Sequence, residues 1–600
     1  MALTRFILPF KRIRTFCMWL TFTASIICIT ALILYGGIYH TPASKAFMVK
    51  IIHGCQVVFI VNILYNLVFF FKSSRKNNKI LKWIMDIAVL LTAISLIYPQ
   101  PQNPWISILE KILYNRWIIF SVLGLYSLID ISFGIIRLLG KRTNPSLLLA
   151  SSFLFFIFLG ALLLMLPRST FEGISFIDSL FVATSAVSIT GLTTVDISEV
   201  FTPFGISILA LLIQFGALGV LTFTSFFALF FTGSTSIYSQ LMVRDMVYSK
   251  SANALLPTLL YVITVTFSIE IIGAIAVYLT LPTDFPITDF NYRILFCSFQ
   301  SLSAFCNAGF TWLPEGMGNP SLMNSNQWIY IVVGTLVILG GIGFPILVNI
   351  KNILKEYFFR LKSAILRRCR RNQRQIHLFD VNTKIVLVTT LSIFLITILA
   401  FLILEWNNTL AGMSLWEKIA QSYFNSSVPR SSGFSSVNPA SFMPTTFLLM
   451  IVLMWIGGSS QSTAGGIKVN TFAAMLLNLR SVITEKKYVT VFKRTISVGS
   501  IRRANSVVGL SALAYFIVAF ILVACEPELP MKALLYEAAS AIFTVGSSLG
   551  ITPELSDASK ILLSAAMFVG RVGILSLLMG LCTHRQNDIR IFPYDNIIIN

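Results

Sequence analysis

The stretch S-A-V-S-I-T-G, Ser185 to Gly191, recurs in outline as S-A-F-C-N-A-G (Ser303 to Gly309), S-V-P-R-S-S-G (Ser427 to Gly433) and S-A-I-F-T-V-G (Ser540 to Gly546). Each time a serine precedes a glycine by six positions, in a polar break between two apolar runs. The glycines lie 118, 124 and 113 residues apart. One such element in an apolar chain carries little meaning. Four at near-regular spacing predict one folding unit used four times, with equivalent loops placed to meet on a common axis. A ring of main-chain carbonyls on such an axis is how a protein replaces the hydration shell of a small cation.

Composition sets the surroundings of these loops. Of 600 residues, 56% are hydrophobic and 12% charged, and the mean hydropathy is +0.81, whereas a globular domain carries about 25% charged residues. Apolar runs of about 20 residues, the length that crosses some 30 Å of hydrocarbon as helix, predict spans at 15–38, 48–71, 83–99, 117–137, 147–166, 204–232, 256–281, 328–350, 384–405, 447–478, 506–525 and 559–582. Strands of a barrel would alternate in polarity over about ten residues, and these runs do not. The expected fold is an all-α polytopic membrane protein, with four membrane–pore-loop–membrane repeats around a pseudo-fourfold pore and about four extra N-terminal transmembrane helices. The expected divisions are 1–145 for the N-terminal helices, then 146–250, 251–375, 376–503 and 504–600 for the repeats.

The net charge of +21 fits either a nucleic-acid surface or the positive-inside rule. Position decides between them. The cations cluster at Arg5–Arg14, Lys72–Lys82, Arg137–Arg142, Lys351–Arg374 and Arg480–Arg503, while alternate loops such as 39–46, 99–112 and 282–290 carry few. Twelve spans with a cytoplasmic N-terminus put every cluster on one side of an inner, cytoplasmic membrane, so no nucleic-acid partner is expected. The basic stretch 351–374 exceeds what topology needs and suits anionic headgroups or an acidic partner, or is a solvated loop. Eight dispersed cysteines and four histidines support no zinc or haem site, and Cys306 is expected as a small filler beside the second loop. The first apolar run has no small-residue cleavage site behind it and is expected to be retained. Clustered His, Cys or carboxylates inside the spans, which a membrane-embedded enzyme would need, are missing, and no enzyme or cofactor is expected.

Each repeat has the same internal order. A span is followed by about 12 moderately apolar residues, the Ser-x5-Gly loop and a second span; in the first repeat these are 147–166, 176–189, 189–193 and 204–232. Twelve residues of helix reach only about 18 Å, so the segment must dip into the membrane and return. Irregular backbone at that depth survives only where it is buried in protein or lines water, so the four loops need one another. The helix ends aimed at the loops carry partial negative charge, which favours a cation. Paired glycines on the second spans, Gly216 and Gly219, Gly340 and Gly343, Gly570 and Gly573, predict close helix packing. The third second-span differs: Gly457–Gly466 holds four glycines and four Ser or Thr, a composition that breaks a helix and makes a movable constriction beneath the loops.

The loops T-S-A-V-S-I-T-G-L, S-A-F-C-N-A-G-F, P-R-S-S-G-F and F-T-V-G-S-S-L-G-I-T-P, with S-T-A-G-G-I-K (462–468) and F-V-G-R-V-G (568–573), resemble the Trk/Ktr/HKT superfamily of potassium transporters over about residues 146–600. The resemblance implies potassium uptake, a homodimer, and a separate cytoplasmic nucleotide-binding regulatory subunit; no dinucleotide fingerprint is present in this chain. It places the selectivity filter at Ile189, Thr190, Gly191, Asn307, Ala308, Gly309, Ser431, Ser432, Gly433, Thr544, Val545 and Gly546. It places the gate at Gly457, Gly458, Ser459, Ser460, Gln461, Ser462, Thr463, Ala464, Gly465, Gly466, Lys468 and Arg571. Departures from the family are Ser460-Gln461, Ser547 after Gly546, and Pro429 inside the third filter. Sodium-admitting members often carry serine at the first filter glycine; here all four are glycine, which favours potassium, the only metal ion expected and a substrate rather than a cofactor.

Two cations sit in or near the spans. Arg571, mid-span, is predicted to line the path under the filter, and Lys468 either tethers the gate to an acidic or carbonyl partner or snorkels to the cytoplasmic face. The fourth N-terminal span has Arg116 and Arg137 at its ends and Asp130 inside, not the ladder of cations a voltage sensor needs; Asp130 and His53 are expected as interhelical contacts. With no P-loop for ATP hydrolysis, gated permeation driven by the membrane potential is expected, with sodium- or proton-coupled symport as the alternative.

Overall fold

The computed structural model describes residues 2–38, 41–77, 80–97, 114–139, 145–219, 255–282, 285, 287, 289–324, 327–365 and 380–581. Among these, regular structure is helical apart from one hairpin, Thr490–Val491 with Arg494–Thr495, and two isolated bridges. The expected basic stretch is outside the described residues from 366 onward, as are 220–254 and 582–600.

Five described helices are long and apolar enough to cross a membrane: Phe16–Gly37, Pro42–Phe69, Leu260–Thr280, Val381–Leu404 and Val498–Cys525. A sixth results if Trp328–Ile342 and Phe344–Lys351, bent by 94°, are one span. Ile272, Leu279, Ile403 and Phe520 stand exposed on these helices, an apolar surface suited to lipid.

Three of the expected second spans, 204–232, 328–350 and 559–582, need correction, because they are not continuous helices. Pro203–Leu218 stops at Gly219 (φ 76°), Trp328–Ile342 at Gly343 (φ 95°) and Asp557–Val572 at Gly573 (φ 89°). Glycine tolerates that backbone where other residues are strained. In the remaining one, 447–478, where a break was expected, Pro444–Trp455 ends at Ile456 and helix resumes only at Val469. The paired glycines thus divide their labour. Gly216, Gly340 and Gly570 lie so close to the carbonyls of Val187, Phe305 and Ile542 that a β-carbon would overlap them, while their partners three residues on end the helix.

Four short helices fill the interior: Phe176–Ser188, Phe290–Cys306, Leu415–Ser427 and Met531–Ile542. Ser175 and Asp289 cap the first two through side-chain oxygens, and Ser414 with Glu417 forms a capping box on the third. Buried clusters centre on these helices, with Ala183, Ala186 and Val187 in one, Phe296 and Ala304 in another, and Ala538, Ala539 and Ala541 in a third. The small residues let neighbouring helices approach closely. The Lys560–Asp178 ion pair, at 2.8 Å, ties the helix Asp557–Val572 to the first short helix.

The N-terminal helices pack on their own core of Cys28, Cys55, Phe59 and Leu123. Ser25 donates to Asp130 at 3.2 Å and Gln56 to the Thr92 carbonyl at 3.0 Å, so Asp130 serves as an interhelical contact.

Candidate functional site

Each short helix ends in a loop, and local hydrogen bonding explains the recurring serine. In the first, second and fourth loops the chain turns through a left-handed residue, Ile189 (φ 57°), Asn307 (φ 61°) or Thr544 (φ 50°). The next amide then returns to the serine carbonyl: Thr190 to Ser185 at 2.8 Å, Ala308 to Ser303 at 2.7 Å, Val545 to Ser540 at 2.8 Å. The serine hydroxyl takes one amide more, from Gly191 at 2.9 Å and from Gly546 at 3.0 Å. The third loop differs. Pro429 extends the helix into a tight turn, Val428–Arg430, and the Ser432 amide returns to the Val428 carbonyl at 3.0 Å.

The four glycines all have positive φ: 96° at Gly191, 76° at Gly309, 64° at Gly433 and 95° at Gly546. Their neighbours close a circle. A β-carbon on Gly191 would fall 2.5 Å from the Ala308 carbonyl oxygen; one on Gly309 would overlap the Ser432 carbonyl, one on Gly433 that of Val545, and one on Gly546 that of Thr190. Each loop therefore seats its glycine against the carbonyl of the next, and the fourth returns to the first. Of the expected filter residues, Thr190, Ala308, Ser432 and Val545 supply these carbonyls, and Ile189, Asn307, Ser431 and Thr544 stand one position before them. Main-chain oxygens converging in this way can hold a dehydrated monovalent cation. Among the described residues no group of three or more His, Cys, Asp or Glu stands together as a metal-ligand set.

The non-helical segment Gly457–Gly466 is bonded to the ends of three of the four short helices. Thr463 Oγ1 donates to the Phe305 carbonyl at 3.2 Å and accepts from Asn307 Nδ2 at 2.7 Å; the Gly465 amide donates to Ser431 Oγ at 3.1 Å and the Gly466 amide to the Phe543 carbonyl at 2.8 Å. Its middle is bonded to the helix break at Gly343, with the Ser459 amide on the Gly341 carbonyl and the Phe344 amide on that of Gln461. Inside the segment Ser462 donates to the Ser459 carbonyl at 2.7 Å; toward the helix that follows, Ser460 donates to Asn470 Oδ1 at 2.8 Å and the Gly458 carbonyl takes the Val469 amide at 2.9 Å. Both expected cations meet carbonyls. Lys468 Nζ donates to Ala464 at 2.6 Å, and Arg571 donates to Thr463 at 2.8 Å and to Gly216 at 2.9 Å.

The sequence profile of TrkH, described as a cation transport protein, matches residues 141–588. The chain belongs to the TrkH family. That makes it a transport protein and not an enzyme. It is 32% identical over 455 residues to Ktr system potassium uptake protein B of Bacillus subtilis, covering 75% of this chain and 95% of that one. Against the potassium/sodium uptake protein NtpJ of Enterococcus hirae the identity is 30%, covering 74% and 93%. The crystal structure of the potassium transporter TrkH from Vibrio parahaemolyticus superposes with a TM-score of 0.56 at 16% identity, covering 84% of this chain and 96% of the other; that likeness is one of fold.

Among the buried charged residues of this TrkH-family chain that were not singled out from sequence, three lie close to the loops. Arg430 donates to the Gly457 carbonyl at 3.2 Å. Glu537 accepts from Ser548 and, at 3.1 Å, from Thr552 behind the fourth loop. Glu270 lies 3.7 Å from the thiol of Cys306, which also faces Gln214 at 3.7 Å, so Cys306 is a polar contact as well as a small filler. The available signal was the ionisable residue within an apolar or re-entrant segment.

Proposed function

We propose that this protein takes up potassium across the cytoplasmic membrane through a gated, selective pore formed by the repeats 146–250, 251–375, 376–503 and 504–600. The closed ring of glycines and carbonyls is the observation that carries this. A circle of main-chain oxygens suits a monovalent cation stripped of water, and the helix C-termini behind it add negative potential. Glycine at Gly191, Gly309, Gly433 and Gly546, and the names of the Ktr relatives, support potassium as the ion. The filter comprises the loop residues 189–191, 307–309, 431–433 and 544–546. The segment Gly457–Gly466 is the gate, held closed by Arg571 and Lys468.

An inside-negative potential contributes about 2.3 kcal/mol per 100 mV for each monovalent cation, or about fiftyfold accumulation at 1.4 kcal/mol per decade. Uptake then needs no hydrolysis. The chain works as a homodimer with its N-terminus in the cytoplasm, under a separate nucleotide-binding regulatory subunit; the relatives named as parts of a Ktr system support a multi-component assembly. A second mechanism, symport with sodium or protons, draws on the potassium/sodium name of NtpJ. Purified protein in liposomes of set potential separates the two. Potassium flux that follows the potential and ignores sodium and proton gradients supports the pore, flux that needs either gradient supports symport, and absence of potassium flux overturns both.

A further inference from the structure

Arg430 is buried, 8% exposed, at the point where the third short helix has given way to the tight turn built on Pro429. One guanidinium nitrogen, Nη2, donates to the Gly457 carbonyl at 3.2 Å, and Nε has no hydrogen-bond partner among the described residues. No carboxylate among the described residues is paired with it; the described ion pair is Lys560–Asp178. The next residue, Ser431, accepts the Gly465 amide at 3.1 Å. Gly457 and Gly465 stand near opposite ends of the gate segment and pack so tightly together that a β-carbon on Gly457 would overlap the Gly465 carbonyl. Two consecutive residues of the third filter loop thus hold both ends of the gate. The other three loops have no such cation, and their chain turns through a left-handed residue instead.

Guanidinium stays protonated in proteins. Buried with one carbonyl for a partner, it is left unpaired if that carbonyl leaves, and an unpaired buried charge is strongly disfavoured. Movement of Gly457–Gly466 must break this bond and the Ser431 bond together. We propose that Arg430 is a positioning residue that latches the third filter loop to the closed gate, so that opening the gate also loosens the Ser431–Gly433 carbonyls and lowers the selectivity of the ring. This builds on the transport function proposed above.

The test is potassium and sodium flux, each measured alone, from liposomes holding wild-type protein, Arg430→Met, Arg430→Lys or Ser431→Ala. The same Arg430→Met change is made in a chain with residues 459–463 deleted. Loss of a hydrogen bond from a charged group shifts the latched-to-unlatched ratio by about tenfold or more, so Arg430→Met should raise basal potassium flux about tenfold and lower the potassium-to-sodium ratio. Arg430→Lys should restore part of both, and in the shortened chain Arg430→Met should alter neither. Wild-type rate and ratio in Arg430→Met overturn the latch, and so does an equal effect in the shortened chain. If Arg430→Met does not fold, Ser431→Ala carries the same expectations without stranding a charge. Lack of potassium flux from the wild-type protein would instead overturn the transport function, and the latch with it.

Discussion

Gly191→Ala puts a single methyl group into the ring. The new β-carbon would stand 2.5 Å from the Ala308 oxygen, 3.1 Å from the Gly309 α-carbon and 3.3 Å from the Ala308 carbonyl carbon. Carbon atoms pack best at about 3.5–4.0 Å, so the Ala308 carbonyl has to swing aside by something near 1 Å. The backbone at φ 96° adds strain of at least about 1–2 kcal/mol for any residue with a β-carbon. Gly173 provides the control: its φ is 93°, yet nothing lies within 4 Å of the site for a β-carbon. Gly173→Ala bears the strain alone. Both variants, reconstituted in liposomes, are assayed for potassium and sodium flux, and their thermal unfolding is followed in detergent. Gly173→Ala should lose about 1–2 kcal/mol of stability and keep the wild-type ion ratio. Gly191→Ala should lower the potassium-to-sodium ratio by about tenfold, since 1.4 kcal/mol at one oxygen suffices for that. An unaltered ratio in Gly191→Ala would refute the idea that the Ala308 carbonyl contacts the ion.

Arg571→Ala removes two charge-assisted bonds to the gate and to Gly216, each worth about 1.5–3 kcal/mol, and should speed potassium flux; an unchanged rate counts against Arg571 as a gate holder. Ser185→Ala and Ser540→Ala strand the Gly191 and Gly546 amides and should weaken potassium affinity, whereas Ser303→Ala, whose hydroxyl has no partner among the described residues, should cost less; equal losses in all three would contradict the capping role. Glu405 ends the helix Val381–Leu404, outside the span. Burial works to raise its carboxyl, but donors from Met443 at 3.0 Å, Asn408 at 2.7 Å and Thr409 at 2.9 Å hold it below the usual carboxylate range. A depressed value means the stabilisation is complete above the unfolded carboxyl's range and disappears as pH falls through the folded value. Glu405→Gln should therefore lower the melting temperature at pH 7 and approach wild type below about pH 4; a gap independent of pH would contradict it.

The loops were legible because their requirements are local. A glycine at positive φ and a serine that caps its amide both leave a mark at fixed spacing. The break at Gly457–Gly466 was legible for a similar reason, since four glycines inside one apolar run disfavour helix. The helix ends at Gly219, Gly343 and Gly573 were not, because a glycine in such a run serves close packing as readily as a break, and only the third dimension separates Gly216 from Gly219. The partners of Arg571, Lys468 and Arg430 were hidden for a different reason. All are main-chain carbonyls, which every residue carries, so nothing at Thr463, Ala464 or Gly457 announces the contact. Glu270 and Cys306 are 36 positions apart, and no periodicity joins them.

The circular seating of the loops also constrains how the molecule is made. Gly546 closes against Thr190, and Lys560 reaches Asp178 across 382 positions of chain, so the first loop waits for the last one to be synthesised. Until then the first and third loops each stand with an unfilled side at membrane depth, where stray carbonyls have neither water nor protein to satisfy them. A chain cut short before Met531 would lack the fourth loop and could not close the circle, however well its earlier helices packed.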